Sequence, residues 1–199
     1  MKLTKYNHSL HSRYYLDEDD ECFYFMEHQP GGYSASPSNS QISNLKKPIS
    51  AKGSTQWKWK ELAISQFIQD LKSLELSSEN VVIVVPGATS KPRESSNFDS
   101  RIDQVVDGVF ENHKSFQVEY LIEAKNEVIP ANYGGSRKKE DIKKNTKWNG
   151  FNGTVYETVI IIDDVLTTGS HFKAWKEIIK ENAPEVKRII GIFWALHVF

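Results

Sequence analysis

Two adjacent carboxylates and a threonine/glycine turn follow an apolar run in VIIIDDVLTTGS, residues 159–170. Asp163 and Asp164 can accept hydrogen bonds from sugar hydroxyls or bind a cation through hard oxygen ligands. The Thr and Ser hydroxyls of residues 167–170 lie where a helix is predicted to begin, and the unpaired N–H groups of a helix N-terminus attract phosphate. This short segment therefore combines acceptors for a sugar with donors for a phosphate.

The rest of the chain predicts the elements that position this segment. From residue 57 onward, short β-branched runs alternate with segments of helical periodicity. The predicted strands are 81–85, 116–124, 158–164 and 188–199, and the predicted helices begin near residues 57, 97 and 170. The first helix is expected to bury Trp59, Leu62, Ala63, Phe67, Leu71 and Leu74, and the second to be capped by Asn97 or Asp99. We therefore predict an α/β fold with a parallel, twisted sheet and helices on both faces, in which ligands bind beyond the carboxyl ends of the strands.

Residues 1–50 are polar and rich in turn-forming residues, and we predict that they form an irregular N-terminal hood on a core of residues 51–199. Within them, residues 21–27 (ECFYFME) are typical of a short strand or a hairpin arm. The aromatic residues of the hood would either stack on a planar ligand or, as is commoner for aromatics, pack the hood onto the core. The sequence leaves open whether Lys46 and Lys47 contact an anionic ligand or only water.

The composition argues against several classes of protein. With a formal net charge of -1, the chain lacks the global positive field expected of a nucleic-acid-binding protein. Cys22 is its only cysteine, so an intrachain disulfide and a multi-cysteine zinc site are excluded. No apolar run approaches the roughly 18 residues that span a bilayer, and the N-terminus has no signal-peptide core. We therefore expect a cytoplasmic protein without a membrane partner.

The segment VIIIDDVLTTGS resembles the signature of the type I phosphoribosyltransferases, in which an apolar strand precedes two acidic residues, two apolar or small residues and a Thr-[Thr/Ala]-Gly-[Ser/Thr] turn. The resemblance implies that Asp163 and Asp164 bind the 2- and 3-hydroxyls of the ribose of phosphoribosyl pyrophosphate. Mg²⁺ would be held mainly by pyrophosphate and ribose oxygens, and whether Asp163 and Asp164 also bind it is left open. It also implies a turn for the 5-phosphate, made of Thr167, Thr168, Gly169 and Ser170. His171 follows, where it would either contact the phosphate or face solvent.

The same family binds pyrophosphate with the loop after its first strand, here PGATSKPRESSNFDSR, residues 86–101. The resemblance therefore implies a pyrophosphate-binding role for Lys91, Arg93 and Arg101. The residue types alone leave alternatives, because Lys91 and Arg93 could be surface charges and Arg101 could pair with Asp103 or face solvent.

A third family feature is a loop that closes over the substrate. In ANYGGSRKKEDIKKNTKWNGF, residues 131–151, the Gly-Gly pair would be the hinge of a flap that carries Arg137, Lys138 and Lys139. Lys138 and Lys139 would then act catalytically, by stabilising charge on the leaving pyrophosphate while the flap excludes water. The alternative is a solvated basic helix. The span also resembles the competence-associated phosphoribosyltransferases, although their cysteine-rich N-terminal zinc module has no counterpart here.

The resemblance leads to one predicted function and two rivals. Some purine phosphoribosyltransferases carry an Asp base at the position of Thr167, so its absence argues against a hypoxanthine- or guanine-type acceptor and favours orotate-, amido- or competence-type members. We predict Mg²⁺-dependent transfer of a phosphoribosyl group to a nitrogen acceptor, by a protein that could form the homodimers common in this family. The rivals are a non-catalytic module that binds phosphoribosyl pyrophosphate or a nucleotide and, least favoured by the net charge, a nucleic-acid-associated protein that uses the basic strip 138–147.

Overall fold

The computed structural model describes residues 1–10, 15–76, 81–87, 90–111, 116–130, 134–151 and 153–198. Its strands are β1 (Thr4–Lys5), β2 (Glu21–His28), β3 (Val81–Pro86), β4 (Gln117–Ala124), β5 (Thr146–Trp148), β6 (Thr158–Leu166) and β7 (Arg188–His197). Its helices are α1 (Pro37–Leu45), α2 (Trp57–Lys72), α3 (Arg101–Phe110), α4 (Lys139–Asn145) and α5 (Ser170–Asn182), and short 3₁₀ turns lie at His8–Leu10 and Ile49–Ala51.

In the described residues the strands form one seven-stranded sheet in the order β1-β2-β7-β6-β3-β4-β5. The five inner strands pair in parallel, whereas the short edge strands β1 and β5 are antiparallel to their neighbours. Parallel strands require crossover connections, which helices supply here. The predicted α/β fold with a parallel sheet is thereby confirmed.

Helices cover both faces of the sheet, because the inner strands present apolar side chains alternately to each side. In β6, Val159 and Ile161 pack into the cluster beneath α5, whereas Ile160 and Ile162 pack into the cluster beneath α1, α2 and α3. Each buried side chain of this size contributes about 2 kcal/mol. A slip of one residue would exchange the two faces, so this burial fixes the register of β6.

The strand expected at residues 21–27 is present as β2 and lies inside the sheet, parallel to β7. Cys22, Tyr24 and Phe25 are buried in the core. The N-terminal 50 residues also supply α1, which packs against α2. The division into a hood and a core stays a prediction, but the two parts share a continuous ladder of backbone hydrogen bonds.

Two element ends matter for the site. β6 runs to Leu166, two residues beyond the end predicted at Asp164, because its pairing with β7 continues that far. Helix α3 begins at Arg101, and its N-cap is Ser100, whose side chain makes no capping hydrogen bond, so the predicted cap by Asn97 or Asp99 is wrong. Asp99 nevertheless contacts this helix end, because its Oδ1 accepts the backbone N–H of Arg101 at 3.2 Å. Asp163 and Asp164 consequently lie within a strand and not in the loop that follows it.

Candidate functional site

The two adjacent carboxylates lie at the carboxyl edge of the sheet, where β6 extends past its neighbour β3. Strand β3 pairs with β6 as far as Val84 opposite Ile161, whereas β7 accompanies β6 to its end. Asp163 is half-buried and Asp164 is 5% exposed. This edge is the one at which parallel α/β sheets bind ligands.

Asp164 is bound by two cations from other elements. Arg101, the first residue of α3, donates to Oδ2 from Nε at 3.0 Å and from Nη2 at 2.6 Å. Nζ of Lys46, the residue that follows α1, lies 3.2 Å from Oδ1. Burial raises the pKa of Asp164, but Lys46 and Arg101 outweigh burial and hold the pKa well below its ordinary value. Asp164 is therefore an ionised, paired carboxylate.

This pair belongs to a longer network of charges beneath the site. Nη1 of Arg101 donates to Oδ2 of Asp99 at 2.7 Å. Nζ of Lys60, a fully buried residue of α2, donates to the same oxygen at 2.7 Å. Positive and negative side chains alternate along the network, which ties α1, α2 and α3 to β6.

Asp163 is the less engaged of the two acids. Its Oδ1 accepts the backbone N–H of Asp164 at 2.8 Å, and no hydrogen bond to its Oδ2 is found in the part of the chain that the structure describes. Burial and the neighbouring charge of Asp164 raise the pKa of Asp163 to about 7. Near neutral pH, Asp163 can therefore release its proton. The ionised carboxylate can then accept a hydrogen bond from a ligand hydroxyl or bind a cation.

The turn predicted to hold phosphate connects β6 to α5. Gly169 has a φ of +79°, a conformation that favours glycine. The Oγ1 atom of Thr168 lies 3.0 Å from Oγ of Ser170, which opens α5 and is 1% exposed. Thr167 and Thr168 are only half-buried. The accessible side of the turn is therefore its threonine side.

The N-terminal segment covers the other side of this turn. The backbone N–H of Tyr15 donates to the carbonyl oxygen of Thr168 at 2.5 Å. Leu16 is 3% exposed and lies so close to Gly169 that a Cβ atom there would come within 2.6 Å of its Cγ. A ligand at the turn must therefore approach from the side opposite Leu16.

Residues 15–20, which we call the clasp, are fastened to α5 by charge pairs. The side chain of Asp20 is fully buried and accepts hydrogen bonds from Lys173 at 2.8 Å and from Lys176 at 2.5 Å. Lys173 also donates to Asp17 at 2.5 Å, and this hydrogen bond lowers the pKa of Asp17. These charge pairs thus hold Tyr15 and Leu16, which belong to the clasp, over the turn.

His171 follows the turn in the first turn of α5. It is half-buried, and its ring centroid lies 5.6 Å from that of Trp175. Burial lowers the pKa of His171 to about 4; Asp164 acts against this shift, and Lys46 and Arg137 act with it. The imidazole is therefore neutral near pH 7 and can offer a phosphate a hydrogen bond but no charge.

The cations predicted to bind pyrophosphate are paired with carboxylates. Lys91 donates to Glu127, and Arg93 donates to Asp103 from Nη1 at 2.5 Å and from Nη2 at 3.2 Å. The guanidinium of Arg93 also lies 5.1 and 4.8 Å from the centroids of two aromatic rings. Residues 88–89 of this loop lie outside the described residues. Pyrophosphate binding by these cations stays a prediction, and it requires them to change partners.

Lys138 and Lys139 lie at the start of α4, which packs against α5. Nζ of Lys139 donates to Glu177 at 2.6 Å, and Lys143 binds both Glu177, at 3.5 Å, and Glu181, at 2.5 Å. Lys138 is exposed. Of the two lysines predicted to be catalytic, one faces solvent and the other joins two helices.

The segment before α4 contains the glycines expected to form a hinge. Gly134 has a φ of +94°, and a Cβ atom on Gly135 would come within 1.9 Å of the carbonyl oxygen of Ile129. Gly135 is thus required by close packing. Residues 131–133 of the predicted flap lie outside the described residues, and flap closure stays a prediction.

The residues of the site fit a metal ion only together with a ligand. Among the described residues, no group of three or more His, Cys, Asp or Glu side chains is arranged to hold a metal ion. Both oxygens of Asp164 face cations, which leaves Asp163 as the available carboxylate. Mg²⁺ requires octahedral oxygen coordination, so ligand oxygens would have to supply most of it.

None of the described helices has the length and apolarity needed to cross a membrane.

Comparisons with known proteins do not assign the chain to a family. No family model and no curated protein matches the sequence. A tetragonal crystal structure of a hypoxanthine phosphoribosyltransferase from Staphylococcus aureus is matched with a TM-score of 0.33 and 10% identity, over 96% of this chain and 80% of that chain. The orthorhombic crystal structure of that enzyme is matched with a TM-score of 0.33 and 11% identity, over 81% of this chain and 75% of that chain. Similarity at this level carries no argument about activity, so any assignment depends on the residues of the site.

Most of the residues that surround the carboxylates and the turn could not be predicted from the sequence. Leu16 and Asp20 belong to no motif, and their roles depend on contacts with α5 more than 150 residues away in the chain. Lys60 did carry a signal. It falls on the same helical face as Ala63 and Phe67, and a lysine on a buried face requires partners.

Proposed function

We propose that this chain is a type I phosphoribosyltransferase, which uses phosphoribosyl pyrophosphate and Mg²⁺ to transfer a phosphoribosyl group to a nitrogen acceptor. One observation carries the proposal: Asp163, in the part of β6 beyond its pairing with β3, lies four positions before Thr167, the first residue of the turn 167–170 that leads into α5. A furanose phosphate presents hydroxyls and a phosphate a few bonds apart. Along the chain, the site offers first a carboxylate that can accept the hydroxyls and then N–H and O–H groups that can donate to the phosphate.

The two acids would act differently in this reaction. Glycosyl transfer passes through an oxocarbenium-like state, whose positive charge a nearby carboxylate stabilises. Asp163 would accept the ribose hydroxyls and supply this negative charge. Asp164, held by Arg101 and Lys46, would fix the end of β6. Mg²⁺, bound mainly by pyrophosphate and ribose oxygens, would neutralise the charge on the leaving group.

The turn 167–170 would bind the 5-phosphate, and Leu16 of the clasp would shield the turn on its other side. The N–H groups at the start of α5 and the hydroxyls of Thr167 and Thr168, on the accessible side of the turn, are donors suited to a phosphate, and the buried Ser170 hydroxyl lies 3.0 Å from that of Thr168. Leu16 keeps water from the Gly169 side of the turn. His171, neutral near pH 7, would add a hydrogen bond without adding charge.

Calorimetry with phosphoribosyl pyrophosphate and Mg²⁺ tests binding, and release of pyrophosphate with a panel of nucleobases and amines tests transfer. We expect wild-type protein to bind the sugar phosphate and Asp163→Asn to bind it at least about tenfold more weakly, the loss of roughly one charge-assisted hydrogen bond. The matched control is Asp19→Asn, an exposed acid of the clasp, which should bind as wild type. Failure of the wild-type protein to bind would refute the proposal.

A second candidate is a non-catalytic module that binds the same ligand and regulates a partner. One observation favours it: the cations predicted to bind pyrophosphate already pair with carboxylates of the chain itself. Such cations stabilise a leaving group only after they change partners. Saturable binding of phosphoribosyl pyrophosphate, without pyrophosphate release for any acceptor in the panel, would select this candidate over transfer.

A further inference from the structure

Lys46 is the most exposed member of the charge network around Asp164. Its side chain is 41% exposed, against 20% for that of Arg101. Its single contact with the carboxylate is 3.2 Å long, whereas Arg101 makes two contacts, at 2.6 and 3.0 Å, with the other oxygen. Lys46 is thus the partner of Asp164 that can leave at the lower cost.

The position of Lys46 is fixed by a buried ammonium group. Nζ of Lys60 donates to the carbonyl oxygen of Leu45 at 2.9 Å and to that of Lys47 at 2.8 Å, the residues directly before and after Lys46. Lys60 is 0% exposed, and burial lowers its pKa against the effect of Asp99. A buried lysine is costly unless it is fully paired. Here it anchors the end of α1 on both sides of one exposed lysine.

Several elements bring polar groups towards Lys46. Asp164 comes from β6, while Lys46 also acts electrostatically on His28, at the end of β2, and on His171, at the start of α5. His28 in turn is hydrogen-bonded through Nδ1 to Nδ1 of His197 at 2.8 Å. Lys46 therefore lies near the carboxyl ends of three neighbouring strands, β2, β7 and β6, beside Asp164.

We propose that Lys46 is a ligand-binding residue of this site, which exchanges Asp164 for a phosphate oxygen of the ligand when the ligand binds. This inference rests on the proposed function for the identity of the ligand as a sugar phosphate. In this pair the ammonium of Lys46 is partly open to solvent, and a phosphate oxygen offers it an equivalent or stronger partner. Because Arg101 stays in place, Asp164 does not become an unpaired buried charge. Its Oδ1 becomes free to accept a ligand hydroxyl.

The exchange is tested by calorimetry on three variants of the full chain, with phosphoribosyl pyrophosphate and Mg²⁺ as the ligand. Lys46→Gln should bind at least about tenfold more weakly than wild type, and its affinity should depend less steeply on salt. Lys46→Arg should recover most of the affinity. Lys47→Gln is the matched control, because it removes a neighbouring charge while keeping the carbonyl that Lys60 uses, and it should bind as wild type.

A structural role for Lys46 predicts a different result. If the lysine only stabilised the fold, Lys46→Gln would lower the melting temperature and leave the affinity at that of wild type. That result would overturn the proposal.

Inorganic pyrophosphate, used as the probe in thermal shift, separates the failure of this proposal from failure of the proposed function. Equal binding of phosphoribosyl pyrophosphate by wild type and Lys46→Gln would overturn the role of Lys46 and leave the function standing. Stabilisation of wild type but not of Lys46→Gln by pyrophosphate, without binding of phosphoribosyl pyrophosphate, would support Lys46 as an anion-binding residue and refute the function. If neither compound bound wild type, both proposals would be wrong.

Discussion

Arg101 donates from Nε and Nη2 to a single oxygen of Asp164, Oδ2, while the other oxygen of this carboxylate faces Lys46. Both oxygens of Asp164 are therefore already paired, one with Arg101 of α3 and the other with Lys46, which directly follows α1. Its neighbour, Asp163, accepts one backbone N–H. Two residues that look equivalent in the sequence thus differ in what they contribute to the fold and in what they can offer a ligand.

Replacement of the two acids should have unequal effects on stability. Asp164→Asn leaves Arg101 and Lys46 without their carboxylate, and loss of one partner of a buried pair costs about 3 kcal/mol. Asp163→Asn removes a group whose pKa is raised by burial and by Asp164, so its cost should stay below about 1 kcal/mol. Urea unfolding at pH 7.5 measures both changes. Equal destabilisation by the two variants would contradict the division of roles.

Much of the fold could be predicted because its signals are local. The β-branched runs of β3 and β6 are buried on both faces, and that burial is what produces a continuous apolar run in the sequence. The predicted end of β6, Asp164, is two residues too early, because the sequence of β6 alone does not show how far β7 pairs alongside it. Here the strand continues to Leu166 because β7 pairs alongside it and Arg101 neutralises the acid.

The buried face of α2 shows why periodicity alone was insufficient. Trp59 and Leu62 were predicted to be buried, but they are 53% and 49% exposed. The buried face instead begins at Lys60 and also includes Asp70, which accepts a hydrogen bond from the indole N–H of Trp194 at 2.8 Å. Ala63, Phe67 and Leu71 are buried as predicted, but the charged Lys60 and Asp70 share their face, and only the distant partners of these two residues explain this.

The contact between Gly169 and Leu16 predicts a strong effect of a single methyl group. Gly169→Ala meets two penalties: a positive φ, which costs about 1 kcal/mol for alanine, and overlap with Leu16, which costs about 1–3 kcal/mol more. Gly153→Ala is the matched control, because Gly153 has a φ of +80° and no non-neighbouring atom of the described residues lies within 4 Å of the added Cβ. Urea unfolding should therefore show a larger loss for Gly169→Ala than for Gly153→Ala.

The double variant Leu16→Ala with Gly169→Ala isolates the contact itself. Leu16→Ala alone should cost about 3 kcal/mol, because a nearly buried leucine is truncated. The two costs should be less than additive by about 1 kcal/mol, since the first change removes the atoms with which the second overlaps. Strict additivity would mean that Leu16 does not pack on the turn in solution.

The clasp should depend on one carboxylate. Asp20→Ala leaves Lys176 and one contact of Lys173 without a buried acceptor, and we expect a loss of about 3 kcal/mol. Asp19→Ala is the control, because that neighbouring side chain is exposed, and it should change stability by less than about 0.5 kcal/mol. Hydrogen exchange of residues 15–20 should become faster in Asp20→Ala only. Unchanged exchange in that variant would show that the charge pairs do not hold the clasp.

His171 should make the stability of the protein depend on pH in the mildly acidic range. Its pKa is lowered to about 4 in the folded protein, mainly by burial, whereas an unfolded histidine titrates near 6.5. Below about pH 6.5 the unfolded chain takes up a proton that the folded chain does not, so stability falls as the pH is lowered from about 6.5 to 4. The contribution is at most about 3 kcal/mol, because the side chain is partly exposed.

Urea unfolding at several pH values tests this, because His171→Gln should flatten the dependence of stability on pH between about 6.5 and 4. An NMR titration of the His171 ring should have its midpoint well below pH 6.5. A ring that titrated near pH 6.5 would show that His171 faces solvent, which is one of the two alternatives that the sequence leaves open.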